Sequence, residues 1–87
     1  MDATVLRLDP AVAIRPEPFG ALAYHYDTRR LVFLKHPDVV RAVEGLDGRT
    51  ATSEVLDACG IDPGRRDAVE RALVSLVRSG IVAEVGP

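Results

Sequence analysis

One cysteine stands in the 87 residues of this chain, Cys59, and that scarcity closes several routes at once. An intramolecular disulfide needs two cysteines and an iron-sulfur cluster several. Any radical chemistry therefore belongs to a partner. A nucleophilic thiolate needs positive, accessible surroundings, whereas Cys59 lies on an apolar stretch beside Ala58 and Gly60 with Asp57 nearby, so a buried, inert thiol is expected. His25, His36 and Cys59 lack the close ligand pairs of zinc sites, and no metal or cofactor is expected. A glycine-rich phosphate loop, a Ser-His-Asp pattern and a convincing carboxylate pair are also missing, and Glu44 with Asp47 reads as solvated helix surface. Catalysis is not expected. No apolar run approaches the ~20 residues of a membrane helix, and the opening MDATVLRLDP has neither the cationic start nor the apolar core of a signal peptide. A cytoplasmic chain without a membrane partner is the default expectation.

What is present describes one small globular domain. Hydrophobic residues make up 47% and charged residues 28%, a balance unlike that of disordered or membrane chains. A chain this short buries only roughly 60 to 65% of its unfolded surface, enough for a single core. The net charge of -2 is uneven: residues 1–35 and 63–87 each carry +1, and residues 36–62 carry -4. The acidic middle reads as a solvated face or as a surface for a basic partner. Ten arginines against one lysine fit a GC-rich genome, and arginine also suits bidentate carboxylate recognition.

Pro10, Pro16 and Pro18 punctuate the first residues and leave room for short strands at 4–8 and 11–15. Pro16 and Pro18 cannot donate to a ladder, which puts this stretch at a sheet edge or leading into a hairpin. Residues 19–26 and 30–35 form that hairpin, turning at Asp27, Thr28 and Arg29. His25 alternates with aromatic neighbours and is expected to be half exposed. His36, at the strand-to-helix junction, is placed to satisfy free backbone groups. Pro37 and Asp38 then open a helix with Val39, Val40, Val43 and Leu46 on one stripe, ending near Asp47 and Gly48. Thr50 or Thr52 is expected to cap a second helix containing Val55, Leu56 and Cys59, with Gly60 as terminator. Asp62 and Pro63 start a third, whose Val69, Leu73, Leu76 and Val77 share a core face until Gly80. Val74 points away from that face, with Asp67, Arg71 and Arg78 near it and Glu70 at its flank. Residues 81–85 form an extended tail.

Leu31, Val32, Phe33 and Leu34 are apolar on both strand faces and carry no catalytic group. Left unpaired at an edge, such a strand invites aggregation, opposed only by Arg29, Arg30 and Lys35 at its ends. A dedicated partner strand resolves the problem. A central strand buried on both sides explains the pattern equally well. The segment from Ser53 to Val82 also resembles the helix-turn-helix and following strand of winged-helix regulators, with Arg65, Arg66 and Arg71 available to phosphates. Against DNA stand Asp67 and Glu70 on the same helix, the net acidity, and the little chain after Gly80 to form a wing.

Taken in order, RPEPFGALAYHYDTRRLVFLK, HPDVVRAVEGL and a helix pair ending LVRSGIV resemble the PqqD-like precursor recognition elements of ribosomally made, modified peptides, and among them the mycofactocin precursor-binding chaperones. The likeness spans residues 14–82. It implies an α+β, winged helix-turn-helix-like fold, a three-stranded antiparallel sheet with three helices in one domain over residues 1–87, of which residues 1–9 are mobile or swapped. It further implies a non-catalytic chaperone without cofactor that binds the leader region of a precursor peptide and presents it to a radical SAM maturase. The leader would add a strand beside Arg30, Leu31, Val32, Phe33, Leu34 and Lys35 and lie against the helix face of Glu70, Arg71, Val74 and Arg78. No nucleic acid is implied, and homodimerisation through the strand edge stays open as an alternative.

Overall fold

The computed structural model describes residues 3–85. Strands β1 (Leu6–Leu8), β2 (Val12–Glu17), β3 (Gly20–His25) and β4 (Leu31–Leu34) come first, then helices α1 (Pro37–Gly45) and α2 (Thr52–Ala58). A 3-10 turn over Pro63–Arg65 leads into α3 (Arg66–Arg78), and β5 (Val82–Glu84) closes the order. Strands β2, β3 and β4 form the expected three-stranded antiparallel sheet, in that order. A separate antiparallel pair joins β1 to β5, with Leu8 opposite Val82 and Leu6 opposite Glu84. The extended tail is thus a paired strand. Residues 3–9 are tied into the fold rather than loose: Leu6 is fully buried, and Gly48 and Val85 donate their N–H groups to the Leu6 and Val5 carbonyls. Residues 1 and 2 lie outside the described part.

One face of the three-stranded sheet carries the core. Val12, Ala21, Ala23 and Leu34 point inward against Val39, Ala42 and Val43 of α1 and Val69, Leu73 and Leu76 of α3. Small residues on β3 let the helices approach. At the β2–β3 turn Gly20 has φ +147°, and a Cβ there would strike the Leu34 carbonyl of β4. Only glycine holds that position.

His25 is buried, contrary to its expected half exposure. Its Nδ1 accepts the N–H groups of Asp27 and Thr28 at 3.2 Å each, and its Nε2 lies 3.5 Å from Asp9 Oδ1. One imidazole thereby ties the β3–β4 turn, in which Arg29 takes φ +61°, to the segment between β1 and β2. The threonine caps expected for α2 are absent, since Ala51 occupies the N-cap and no side chain bonds there. Thr52 instead donates its hydroxyl to the Thr4 carbonyl at 2.6 Å, next to the Val5–Ala51 bridge. Thr50 donates to Asp47, whose carboxylate also accepts the N–H of Thr50 and Arg49, and these bonds hold it below the usual carboxylate range.

Replacing Gly20 by alanine is expected to destabilise the fold by about 2–4 kcal/mol, from backbone strain plus the displaced Leu34 carbonyl. Urea unfolding reads the loss.

Candidate functional site: a free strand edge beside a helical groove

An antiparallel ladder alternates residues whose main chain bonds the neighbour with residues whose main chain points away. In β4 the alternation is set at the turn, where the His25 N–H donates to the Arg30 carbonyl at 2.9 Å. With Ala23 opposite Val32 and Ala21 opposite Leu34, the main-chain groups of Val32 and Leu34 are spent on β3. Those of Leu31 and Phe33 face outward, and no strand adjoins β4 on that side among the described residues. Of the two readings of LVFL, the central strand is therefore excluded: β4 is an edge, and Leu31 and Phe33 are 55% and 56% exposed.

The opposite edge is β2. There the Tyr26 N–H donates to the Ala11 carbonyl at 2.8 Å, so Ala13, Arg15 and Glu17 bond β3 while Val12, Ile14 and Pro16 face away. Pro16 removes a donor from that free row. The sheet thus has one edge blunted by proline and one with its donors intact.

Beside the intact edge lies an open, largely apolar groove of about 240 Å³. Val32, Phe33, Leu34 and Lys35 line it from β4, Val39 from α1, and Ala72, Ser75 and Leu76 from α3. His36 closes one end; its Nδ1 accepts the Asp38 N–H at 3.2 Å and caps α1, as its junction position implied. With Nδ1 engaged as acceptor, the remaining ring nitrogen is the donor. At about 100° per residue on a helix, Arg71 and Arg78 flank the Ala72–Ser75–Leu76 row, while Glu70 and Val74 fall on the far side of α3. The groove wall is Ala72, Ser75 and Leu76, and of the Glu70, Arg71, Val74, Arg78 face expected from the sequence the two arginines lie beside it. Small residues leave the space, and a search for apolar or charged stripes passes over them.

The groove walls are held by charge. The buried Asp38 carboxylate accepts from the guanidinium of Arg41 and from Arg65 Nε at 2.6 Å, which ties the first turn of α1 to the entry of α3. Arg66, the next residue, pairs with Asp57 of α2. Cys59 is half-buried rather than buried, and its Sγ lies 3.4 Å from the Arg41 carbonyl as a weak donor. His25, His36 and Cys59 each serve a separate local bond, and among the described residues no cluster of metal-ligating side chains forms. No helix among them is long and apolar enough to cross a membrane.

The profile of the Peptide chaperone MftB family matches residues 5–83. This chain belongs to that family. A peptide chaperone MftB of Mycolicibacterium smegmatis is 41% identical over 81 residues, covering 93% of this chain and 79% of the relative. Its namesake in Mycobacterium tuberculosis is 40% identical over 76 residues, covering 87% and 70%. No solved structure matched. The family's members are named for a chaperone's role, which is non-catalytic and agrees with the absence of any catalytic pattern in the sequence.

Replacing Asp38 by alanine is expected to cost about 1–3 kcal/mol, since two arginines lose a charged acceptor. Urea unfolding measures it.

Proposed function

We propose that this chain is a non-catalytic chaperone that captures the leader of a ribosomally made precursor peptide by strand addition at the free edge of β4. It then presents that peptide to a radical SAM maturase in mycofactocin biosynthesis. The observation that carries the reading is the asymmetry of the sheet edges: Pro16 blunts β2, while Leu31 and Phe33 offer an unbroken row of donors and acceptors next to an apolar groove. Strand addition uses such a row for affinity and adjacent pockets for specificity. A groove of about 240 Å³ is smaller than the ~300–1,000 Å³ of small-molecule pockets and suits individual side chains of an extended peptide. Each main-chain bond contributes about 0.5–1.5 kcal/mol net, and each buried apolar leader side chain roughly 1.5–3 kcal/mol. One anchor thus equals about two strand bonds, so the groove and not the edge fixes the register. Arg30, Arg71 and Arg78 at the flanks favour acidic leader residues, chiefly through on-rate.

The DNA-binding alternative has two of its three cations engaged within the fold. Arg65 is paired with Asp38 and Arg66 with Asp57, and the chain after Gly80 pairs with β1 as β5 instead of forming a wing.

The test is calorimetry with a synthetic leader peptide of a mycofactocin precursor. Proline is the sharpest probe because its effect depends on the parity of the ladder. At Phe33, whose N–H faces the free edge, proline should weaken peptide binding about tenfold or more while the fold survives. At Val32, whose N–H bonds β3, proline should unfold the hairpin instead, with a loss of about 3 kcal/mol or more in urea. Equal peptide affinity in wild type and Phe33→Pro would rule out strand addition.

Charge at the flanks should act more weakly. Arg71→Ala and Arg78→Ala are each expected to reduce peptide affinity by up to about fivefold, as rim charges do, and to flatten its salt dependence.

A further inference from the structure

The core of this chain contains no aromatic ring. Its four aromatic residues, Phe19, Tyr24, Tyr26 and Phe33, all sit on the face of the three-stranded sheet turned away from the helices. Phe19 packs on Phe33 with ring centroids 5.7 Å apart, and Tyr24 meets Tyr26 edge-on at 5.1 Å. Leu31, Leu22 and Ala13 join the tyrosines around a shallow depression of about 360 Å³. Four of the six large hydrophobic side chains most exposed to solvent belong to this face: Phe19 at 51%, Tyr26 at 62%, Leu31 and Phe33. Rings buried in the core would stabilise so small a domain, yet here they lie in water. Half-exposed rings and leucine amount to roughly 400 Å² of apolar surface, about half of what one partner buries in a standard interface. That is the scale of the largest apolar patch a monomer carries, which is often a functional one.

The rim of the patch selects among occupants. Arg15, Arg29, Arg30 and Lys35 surround it against Glu17, which Arg15 contacts at 3.4 Å, and Asp27. A second copy docked face to face would set one net positive rim, four cations against two carboxylates, upon another. A partner with an apolar patch ringed by carboxylates fits instead. The part of the face over β2 and β3, around Ala13, Arg15, Tyr24 and Tyr26, lies away from the β4 edge, so a peptide added at that edge, whose alternate side chains meet Leu31 and Phe33, leaves that part open.

Resting on the chaperone reading, we infer that this aromatic sheet face docks the modifying enzyme, which meets it with an apolar patch rimmed by acidic side chains. The peptide groove and the enzyme surface are then two sides of one sheet. Both sites are filled at once, and the enzyme need not displace the leader.

Two substitutions outside the groove test the assignment, Tyr26→Glu and Arg15→Glu. The probes are a mycofactocin radical SAM maturase and the synthetic leader peptide, with titrations at low and high salt. Each variant should bind the enzyme about tenfold more weakly than wild type, keep wild-type affinity for the leader peptide, and lose part of the salt dependence. Retained peptide binding also certifies the fold. The assignment is overturned if both variants bind the enzyme like wild type, or if the wild type does not bind it. It is likewise overturned if light scattering shows a dimer that these substitutions dissolve, or if the face binds labelled oligothymidylate instead. A wild type that binds the enzyme but no leader peptide defeats the chaperone reading itself, an outcome distinct from all of these.

Discussion

An antiparallel strand can satisfy its backbone on one side only if alternate residues face that side, and every strand at a sheet edge therefore carries a row of unmet donors and acceptors. The present fold depends on how that constraint is managed. A sheet of three strands has two such rows, and at β2 the row is broken by Pro16. At β4 it is complete. A protein under selection only for solubility would blunt both edges. Keeping one intact, beside a groove between the edge strand and α3, has a cost in aggregation risk that the proposed partner strand would offset.

The surrounding bonds keep that edge in register. His25 fixes the β3–β4 turn by accepting two of its N–H groups, and so decides which residues of β4 face β3. A one-residue slip would send Val32 and Leu34 outward and bury Leu31 and Phe33. Asp38 does for the helices what His25 does for the strands, since its contacts with Arg41 and Arg65 hold α1 against the entry of α3. Neither carboxylate nor imidazole meets a peptide. Both set the spacing of the surfaces that would.

Much of this was legible in the residues themselves. The hairpin, the His36 cap, and Gly60 and Gly80 as left-handed terminators at φ +70° and +82° all follow from local rules, because each depends on neighbours within a few positions. The β1–β5 pairing was not legible, for it joins residues 6–8 to residues 82–84 and neither stretch has a long enough pattern to announce a mate. Burial of His25 escaped for the same reason: its partner Asp9 is distant in sequence. The groove wall of Ala72 and Ser75 left no mark because a cavity is made by what side chains lack. Polar Ser75 also interrupts the hydrophobic stripe that identifies a buried face.

The parity that governs hydrogen bonding governs side chains as well. In a strand, residues whose main chain points to one edge also share one face. In β4 the residues that offer main-chain groups to an incoming strand, Leu31 and Phe33, are therefore the same ones that project onto the aromatic face, whereas Val32 and Leu34 bond β3 and turn toward the core and groove. A strand apolar on both sides is what this division requires. One side closes the core, and the other is exposed beside the aromatic rings, where the inferred enzyme contact would lie. Under the proposed strand addition the backbone between them serves the peptide, with Val32 and Leu34 shaping the adjoining groove. A substitution at Leu31 or Phe33 that preserves the main chain can thus alter the outer face without removing the edge, and the two functions can diverge independently within four residues of sequence.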